Sequence, residues 1–181
     1  MIFEPFSPFL PSEYRVKFAT EAWEHAGAAA LRRAVFCDEQ KIFDGDDADD
    51  IDAVAIPIVA ISVWGVAAES VVGTVRIHEA EPGVWWGSRL AVTREHRRVG
   101  ALGASLIKIA VSSAHARGCN KFLAHVQSQN VLLFQNMHWD VLEQLEIFGR
   151  PHFRMQADLA HYPPFATPEV GLMALPTRRA A

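Results

Sequence analysis

The residues with the clearest chemical potential lie in the stretch 89–107. A short β-like run at 89–92 comes first, and an apolar helical pattern closes the stretch. Between them stand arginines and small residues, in the order Arg94, Arg97, Arg98, Gly100, Ala101 and Gly103. Small residues let backbone N–H groups face outward, and the first turn of a helix has N–H groups without intrahelical partners. Together with the arginines, these donors predict a binding site for phosphate groups.

Composition restricts the class of protein. The chain has 181 residues, of which 50% are apolar and 21% charged, as in a globular protein of one main domain. Its net charge of −4 argues against duplex nucleic acid as a partner. We see neither the basic segment of a signal peptide nor a run approaching the roughly 20 apolar residues of a membrane span. With only two cysteines, Cys37 and Cys119, we expect a cytoplasmic protein without a membrane partner.

The periodicity of apolar residues predicts the elements that must position this loop. Alternation at 14–18 indicates a strand, and a helix capped by Thr20 and burying Trp23 follows to about Asp38. The later elements are three strands at 56–66, 71–78 and 85–92, a long helix ending near Gly118, a strand at 122–127, a short helix at 130–137, and strands at 142–148 and 152–158. This order predicts a mixed α/β sheet rather than a doubly wound fold.

This order of elements, with the arginine–glycine loop after the fourth strand, resembles the GNAT superfamily of N-acyltransferases. The run Leu90-Ala91-Val92 matches the family's Leu-x-Val, and the loop fits its [Q/R]-x-x-G-x-[G/A] motif in two registers. One register begins at Arg97 and uses Gly100, and the other begins at Arg98 and uses Gly103. The resemblance implies a mixed, mostly antiparallel central sheet of about six or seven strands flanked by helices, in a domain at 13–162. Residues 1–12 would be an extension, and 163–181 a loosely ordered tail.

The same resemblance implies acetyl-CoA, or another short acyl-CoA, as the cosubstrate. Its peptide-like arm would lie along Leu90, Ala91 and Val92. Its diphosphate would contact the loop and the helix start, at Arg97, Arg98, Val99, Gly100, Ala101, Leu102, Gly103 and Ala104. Two further matches support the resemblance: residues 35–40 look like the V-F-x-x-E-Q helix end of one GNAT branch, and Asn130 begins an N…Y-x-x-L-G-F element. Asn130 would lie beside the arm and Phe134 near the thiol, although Phe134 replaces the usual Tyr and His138 the usual Gly.

Transfer to an amine requires a group that removes a proton, because at pH 7 a lysine-like amine is almost entirely charged. Family members often place a glutamate on the fourth strand, but residues 85–88 are Trp-Trp-Gly-Ser and offer no carboxylate. The remaining candidates are Glu79, His78, His125 and Glu39. Two of them have plain structural alternatives: Glu39 as a tie at its helix end, and His125 as a hydrogen-bonded core or surface histidine.

Three other patterns allow two interpretations each. The acidic segment 43–52 is either a solvated loop or a lip that attracts a cationic amine; it lacks the spacing of a calcium loop. Trp64, Trp85 and Trp86 either line an acceptor pocket or belong to the core. By position alone, His152, His161 and Tyr162 could close the cleft. The eight histidines show no H-x-x-x-H or H-E-x-x-H pattern, so we infer no metal site.

The sequence thus predicts an N-acyltransferase that moves a short acyl group from acyl-CoA to a small-molecule amine by direct attack in a ternary complex. Two alternatives stay open. One is an acyl-CoA-binding regulatory module without turnover, and the other is an acyl transferase of the autoinducer-synthase type on the same fold. The identity of the amine and the formation of a homodimer are left open by the sequence.

Overall fold

The computed structural model describes residues 13–65, 67–98 and 102–174. The predicted extension 1–12, the end of the predicted tail and three residues of the predicted diphosphate loop (Val99, Gly100 and Ala101) lie outside the described residues. The helices and strands are β1 Glu13–Phe18, α1 Ala22–Arg32, β2 Ile56–Trp64, β3 Ala67–Glu81, β4 Val84–Val92, α2 Leu102–Ala116, β5 Lys121–Gln127, α3 Val131–Asn136, β6 Trp139–Ile147, β7 Arg150–Ala157 and β8 Leu172–Ala174.

The eight strands form a single sheet in the order β6-β7-β5-β4-β3-β2-β1-β8. Neighbouring strands are antiparallel except β4 and β5, which are parallel because α2 carries the chain back between them. The predicted mixed, mostly antiparallel sheet is therefore confirmed. The strand beyond the expected number is β8, which pairs with β1 although the sequence suggested a loosely ordered tail from residue 163. A three-residue strand is too short for its alternation to stand out from coil.

Helix α1 packs on β2 and β3 through a small-residue face. A Cβ at Gly27 would lie 2.7 Å from Cγ2 of Val71, so only glycine allows this approach. The expectation that Trp23 is buried is wrong: it is 43% exposed, because the face with Ala28 and Leu31 meets the sheet. The predicted Thr20 cap is wrong as well, since α1 begins at Ala22.

The end of this helix region winds more loosely. After Arg32 the chain continues as a π-helical segment, Arg33–Glu39, so helical structure does extend to the predicted end. Val35, Phe36 and Cys37 are buried within this segment. Such π-helical turns occur frequently at functional sites, because they shift the side chains that follow. Here Glu39 ends the segment and Gln40 follows it.

The two central strands separate partway along their length. Strands β4 and β5 pair over Val84–Gly87 and Lys121–Ala124, and no pairing among the described residues continues toward Val92 and Gln127. Arg89, just past this point, has a φ of +57°, an unusual conformation for a side-chain-bearing residue that bends the strand. The divergence leaves one backbone edge of β4 without a neighbouring strand.

Candidate active site

The divergence of β4 and β5 opens into a cavity of about 470 Å³. It reaches from the core side, with Phe122, Phe134 and Trp139, to the π-helical segment and the acidic segment. Gln40, directly after the π-helical segment, and Asp49, in the acidic segment, line this end of the cavity. A cavity of this size, lined by both apolar and polar side chains, has the general form of a small-molecule site.

One face of the sheet supplies most of the polar groups of this cleft. Alternate residues of a strand lie on the same face of the sheet. Two contacts between strands show which residues of neighbouring strands share that face. Arg76 of β3 donates through Nε to Oγ of Ser88 at 2.9 Å, and the rings of Trp86 and His125 lie 4.8 Å apart between centroids. The residues of this face that line the cleft are Arg76, His78, Trp86, Ser88, His125, Gln127 and His152.

The acidic segment folds inward onto three arginines from other elements. We call these residues the arginine–aspartate cluster: Arg32, Arg76 and Arg89 with Asp47, Asp49 and Asp52. The shortest contact in each arginine's set of ion pairs is 2.6 Å for Arg32 to Asp52, 2.6 Å for Arg76 to Asp49, and 2.9 Å for Arg89 to Asp47. Arg76 is only 2% exposed, and Asp47 is equally buried.

The cluster shows that neither interpretation of the acidic segment, as a solvated loop or as a lip that attracts a cationic amine, is sufficient. The hydrogen bonds from Arg76 hold the pKa of Asp49 below its usual range. Burial alone would raise the pKa of Asp52, but hydrogen bonds from Arg32 and Arg76 outweigh it and lower that pKa. Three of the carboxylates are therefore paired with arginines rather than offered to an amine, and the side chains of Asp49 and Asp52 are also 35% and 30% exposed. Asp44, Asp46 and Asp50 remain exposed.

Glu39 and Arg97 form a bidentate ion pair. Nη1 and Nη2 of Arg97 donate to Oε1 and Oε2 of Glu39 at 2.5 and 2.8 Å, and Nε donates to the carbonyl of Val92 at 3.0 Å. The hydrogen bond from Arg97 holds the pKa of Glu39 below its usual range. The structure thus brings together a candidate base and a candidate diphosphate ligand, and it does so as partners of each other.

The other candidate bases lie in different places. The carboxylate of Glu79 accepts the backbone N–H of Gly83 at 2.8 Å in the β3–β4 turn, and Glu79 is not among the described residues that line the cleft. His78 and His125 both line it. Burial lowers the pKa of His78, with a further contribution from Arg76. Burial also lowers the pKa of His125, and the nearby His152 and Arg154 lower it further.

Of the described residues among the predicted acyl-CoA ligands, Leu90, Asn130 and Phe134 line this cleft. Ala91 and Val92 pair with β3, so the opposite backbone edge of β4 faces the opening, where Leu90 lines the cleft. Arg98 is exposed, and Leu102, Gly103 and Ala104 form the first turn of α2. Asn130 lies at the start of α3 and makes no capping hydrogen bond with its side chain. Phe134 is buried, with its ring edge-on to Trp139 at 4.9 Å.

The tryptophans and the C-terminal residues divide between cleft, core and surface. Trp86 lines the cleft, Trp85 is buried in the core, and Trp64 is 59% exposed. Tyr162 is also a core residue: its hydroxyl accepts the indole N–H of Trp139 at 2.9 Å and donates to a backbone carbonyl. His161 stacks on His138 with 3.5 Å between ring centroids. Of the three residues suggested to close the cleft, only His152 lines it.

Several residues of the site escaped the sequence interpretation. Arg32 and Arg76 lie on predicted elements, and no local pattern joins them to aspartates many residues away. The one available signal was Arg76 itself, a charged residue inside an otherwise apolar strand.

Within the ranges that the structure describes, no group of three or more His, Cys, Asp or Glu side chains could hold a metal ion. No helix in those ranges is long and apolar enough to cross a membrane.

The comparisons with known proteins agree with this architecture. The sequence model of the Acetyltransferase (GNAT) family matches residues 37–137, more than half of the chain. The chain therefore belongs to the GNAT acetyltransferase family, as its elements and motifs predicted. None of the curated proteins compared with the sequence matches it.

Solved structures share the fold at low sequence identity. ElaA of Escherichia coli is 20% identical with a TM-score of 0.61, over 80% of this chain and 98% of that one. The CoA-dependent acyl-homoserine lactone synthase BjaI, with SAM and isopentyl-CoA, is 16% identical with a TM-score of 0.62, over 79% and 82%. A chimera of the spermidine N-acetyltransferase SpeG from Vibrio cholerae is 19% identical with a TM-score of 0.59, over 82% and 98%.

Proposed function

We propose that this chain is an N-acyltransferase that transfers an acetyl or other short acyl group from acyl-CoA to an amine of a small molecule. The observation that carries the proposal is the opening between β4 and β5, where an unpaired strand edge leads from the start of α2 into a cavity. A peptide-like arm can add to such an edge as a further strand. Membership of the GNAT family supports the same reaction.

In this proposal the diphosphate is bound by the first turn of α2 and by Arg98. The backbone N–H groups of Leu102, Gly103 and Ala104 lack intrahelical partners, and the helix terminus favours an anion. We favour the register that begins at Arg98 and uses Gly103, because Arg97 is held by Glu39 and by a backbone carbonyl. Asn130 then stands beside the arm and Phe134 near the thiol.

The reaction we propose is direct attack in a ternary complex. The amine nitrogen forms a bond to the thioester carbonyl carbon, the carbon–sulfur bond breaks, and the proton of the amine passes to a base. Phe134 has no proton to give, so the CoA thiolate leaves as such or takes a proton from water; a thiol with a pKa near 8.5 is an acceptable leaving group. His78 and His125 are the sequence-predicted bases that line the cleft.

We assign the reaction to the domain at 13–162, with β8 as an added edge strand. The two cysteines are free thiols, which suits the cytoplasm as the expected compartment. The acceptor is a small molecule in this proposal, and a homodimer stays a prediction for size measurements in solution.

The test is thiol release from a series of acyl-CoA thioesters, each mixed with a panel of amines. Turnover with any pair contradicts the regulatory binding module. Binding of CoA without turnover contradicts the enzyme. A thermal shift decides binding: ligand at about 100 times its Kd stabilises by roughly 2.7 kcal/mol, about 5–10 °C for a chain of this length. No shift and no turnover would remove both functions.

The acyl-homoserine lactone synthase remains a second candidate, and one observation favours it. The TM-score to BjaI, 0.62 over 82% of the BjaI chain, is similar to the 0.59 of the spermidine N-acetyltransferase chimera. The V-F-x-x-E-Q-like helix end also fits this branch of the fold. Incubation with SAM and isopentyl-CoA distinguishes the two: a lactone product supports the synthase, and amide formation with an unrelated amine supports the N-acyltransferase.

A further inference from the structure

A third histidine of the cleft, His152, was not among the predicted bases. It lies on β7, is 7% exposed, and lines the cavity. Its cross-strand partner on β5 is Gln127, and His125 is its diagonal neighbour. The backbones of two residues in that diagonal relation lie about 7–8 Å apart, and their side chains can approach each other in the space between. His152 therefore faces the same space as His125 from a neighbouring strand.

One hydrogen bond determines which nitrogen of His152 carries the proton. Nδ1 lies 3.0 Å from the backbone carbonyl oxygen of Arg150. A carbonyl oxygen only accepts hydrogen bonds, so Nδ1 must donate. In the neutral imidazole this leaves Nε2 with its lone pair, which is what a general base requires.

The carbonyl that orients His152 is itself held in place. A guanidinium nitrogen of Arg150 donates to the backbone oxygen of Gln40, and the amide of Gln127 donates to Oε1 of Gln40 at 3.0 Å. These contacts join the start of β7 and the end of β5 to the residue after the π-helical segment. An orienting group behind the base is the arrangement that fixes imidazole tautomers in known acid–base sites.

The competing groups in the cleft are less suited to accept a proton. Among the described residues, His125 contacts the ring of Trp86 and has no hydrogen bond that fixes its tautomer. Nδ1 of His78 is buried without a hydrogen-bond partner. Glu39 is engaged by Arg97.

We propose that Nε2 of His152 is the general base that accepts the proton of the attacking amine. This inference rests on the proposed N-acyltransferase function. The proton moves from the amine nitrogen to Nε2 as the carbon–nitrogen bond forms, the carbon–sulfur bond breaks, and the imidazolium returns the proton to the departing thiolate or to water. His152 is then catalytic, while Arg150 is a positioning residue that acts through it.

The charged and titratable groups around His152 come from three strands. They are His125 on β5, Arg154 on β7 itself, Glu143 on β6, which pairs with Arg154 at 3.3 Å, and Arg150. The charges of Glu143 and Arg154 offset each other, so a change in the pH profile on removal of His152 reports on His152 and His125. The matched variant of His125 distinguishes the contribution of one histidine from that of the other.

The experiment compares His152→Asn, His125→Asn and His161→Gln in the full chain. Asparagine at 152 retains an amide N–H near the position of Nδ1 and can still donate to the Arg150 carbonyl, but it has no counterpart of Nε2. We expect kcat to fall about 100-fold or more with the KM for acyl-CoA unchanged, with loss of the acidic limb of the pH profile and partial rescue by added imidazole. His161 lies outside the cleft on His138 and serves as the control with wild-type kinetics.

Two kinetic results overturn the assignment. His152→Asn with wild-type kcat does so, as does His125→Asn that loses the acidic limb while His152→Asn keeps it. A long-range ¹H–¹⁵N spectrum of the wild-type histidines gives a readout without turnover: we expect the Nδ1–H tautomer at His152, and the Nε2–H tautomer would also overturn the proposal. If the wild-type chain itself turns over no amine, the N-acyltransferase function fails and this inference fails with it, whereas turnover that survives His152→Asn removes only the inference.

Discussion

Glu39 and Arg97 stand 58 residues apart in the chain and meet in a bidentate ion pair with contacts of 2.5 and 2.8 Å. The pair joins the end of the π-helical segment to the turn that precedes α2. It therefore links the π-helical segment to the turn that bears the proposed diphosphate ligands. Glu39 and Arg97, to which the sequence assigned separate roles, therefore share one structural role.

The ion pair predicts that Glu39 is not the base. Glu39→Gln keeps an acceptor for Arg97, and both side chains are more than a third exposed, so we expect kcat within a factor of about 3 of wild type. The acidic limb of the pH profile should be unchanged, because the pKa of Glu39 is held below its usual range. Steady-state kinetics across pH tests this. Loss of the limb in Glu39→Gln would make Glu39 the base.

The arginines before α2 should contribute unequally to acyl-CoA binding. We expect Arg98→Ala to raise the Kd for CoA about tenfold, because the exposed guanidinium is available for a charge-assisted contact with phosphate. The double variant with Arg97→Ala should bind more weakly still. Isothermal titration with CoA measures both, and Arg117→Ala, in an exposed pair with Glu169, is the charge-matched control. Unchanged affinity in the double variant would refute the diphosphate assignment.

A substitution at Gly103 distinguishes a structural from a functional requirement for a small residue at this position. A Cβ there meets no described residue within 4 Å, so Gly103→Ala fits the fold. Without ligand, we expect the free energy of unfolding to rise by up to about 1 kcal/mol, since alanine favours a helix. With CoA, we expect weaker binding, because the methyl group stands where the diphosphate would approach the backbone. Denaturant unfolding with and without CoA measures both; equal stabilisation by CoA in the two proteins would contradict the close approach.

The arginine–aspartate cluster should make stability depend on pH. The pKa values of Asp49 and Asp52 are lowered in the folded state, so the unfolded chain binds more protons on acidification. The stabilising contribution is present above the unfolded value of about 3.9 and is lost as the pH falls through the folded values. Urea unfolding from pH 7 downward should show this decline.

Removal of Arg76 tests the same cluster. At neutral pH we expect Arg76→Met to cost about 3–5 kcal/mol, because it leaves carboxylates without their buried partner. The acid dependence of stability should be weaker in this variant. Arg33→Met is the control: Arg33 lies 3.7 Å from Asp46 with both side chains at least half exposed, and its loss should cost about 1 kcal/mol or less. Equal costs for the two variants would contradict a structural role of the cluster.

The predictable part of the fold was the part with strong local periodicity. Strands such as β5 and the long helix α2 carry continuous apolar patterns, and their order sufficed for the class of sheet. The buried face of α1 was assigned wrongly, because Trp23 looked apolar while the sheet demanded the small Gly27. Close approach between elements depends on shape rather than on hydrophobicity, and shape is not a local property of the sequence.

By itself the sequence determined the family, since Leu90-Ala91-Val92, the arginine–glycine loop and Asn130 occur in a fixed order along the chain. Only the tertiary structure decided the partners of the charged groups: Arg97 with Glu39, and Arg76 with Asp49. It alone brought His152 beside His125 and gave its Nδ1 a carbonyl to bond. A motif is a local pattern, whereas an ion pair or a base depends on the distances between atoms from different strands, and folding alone establishes those distances.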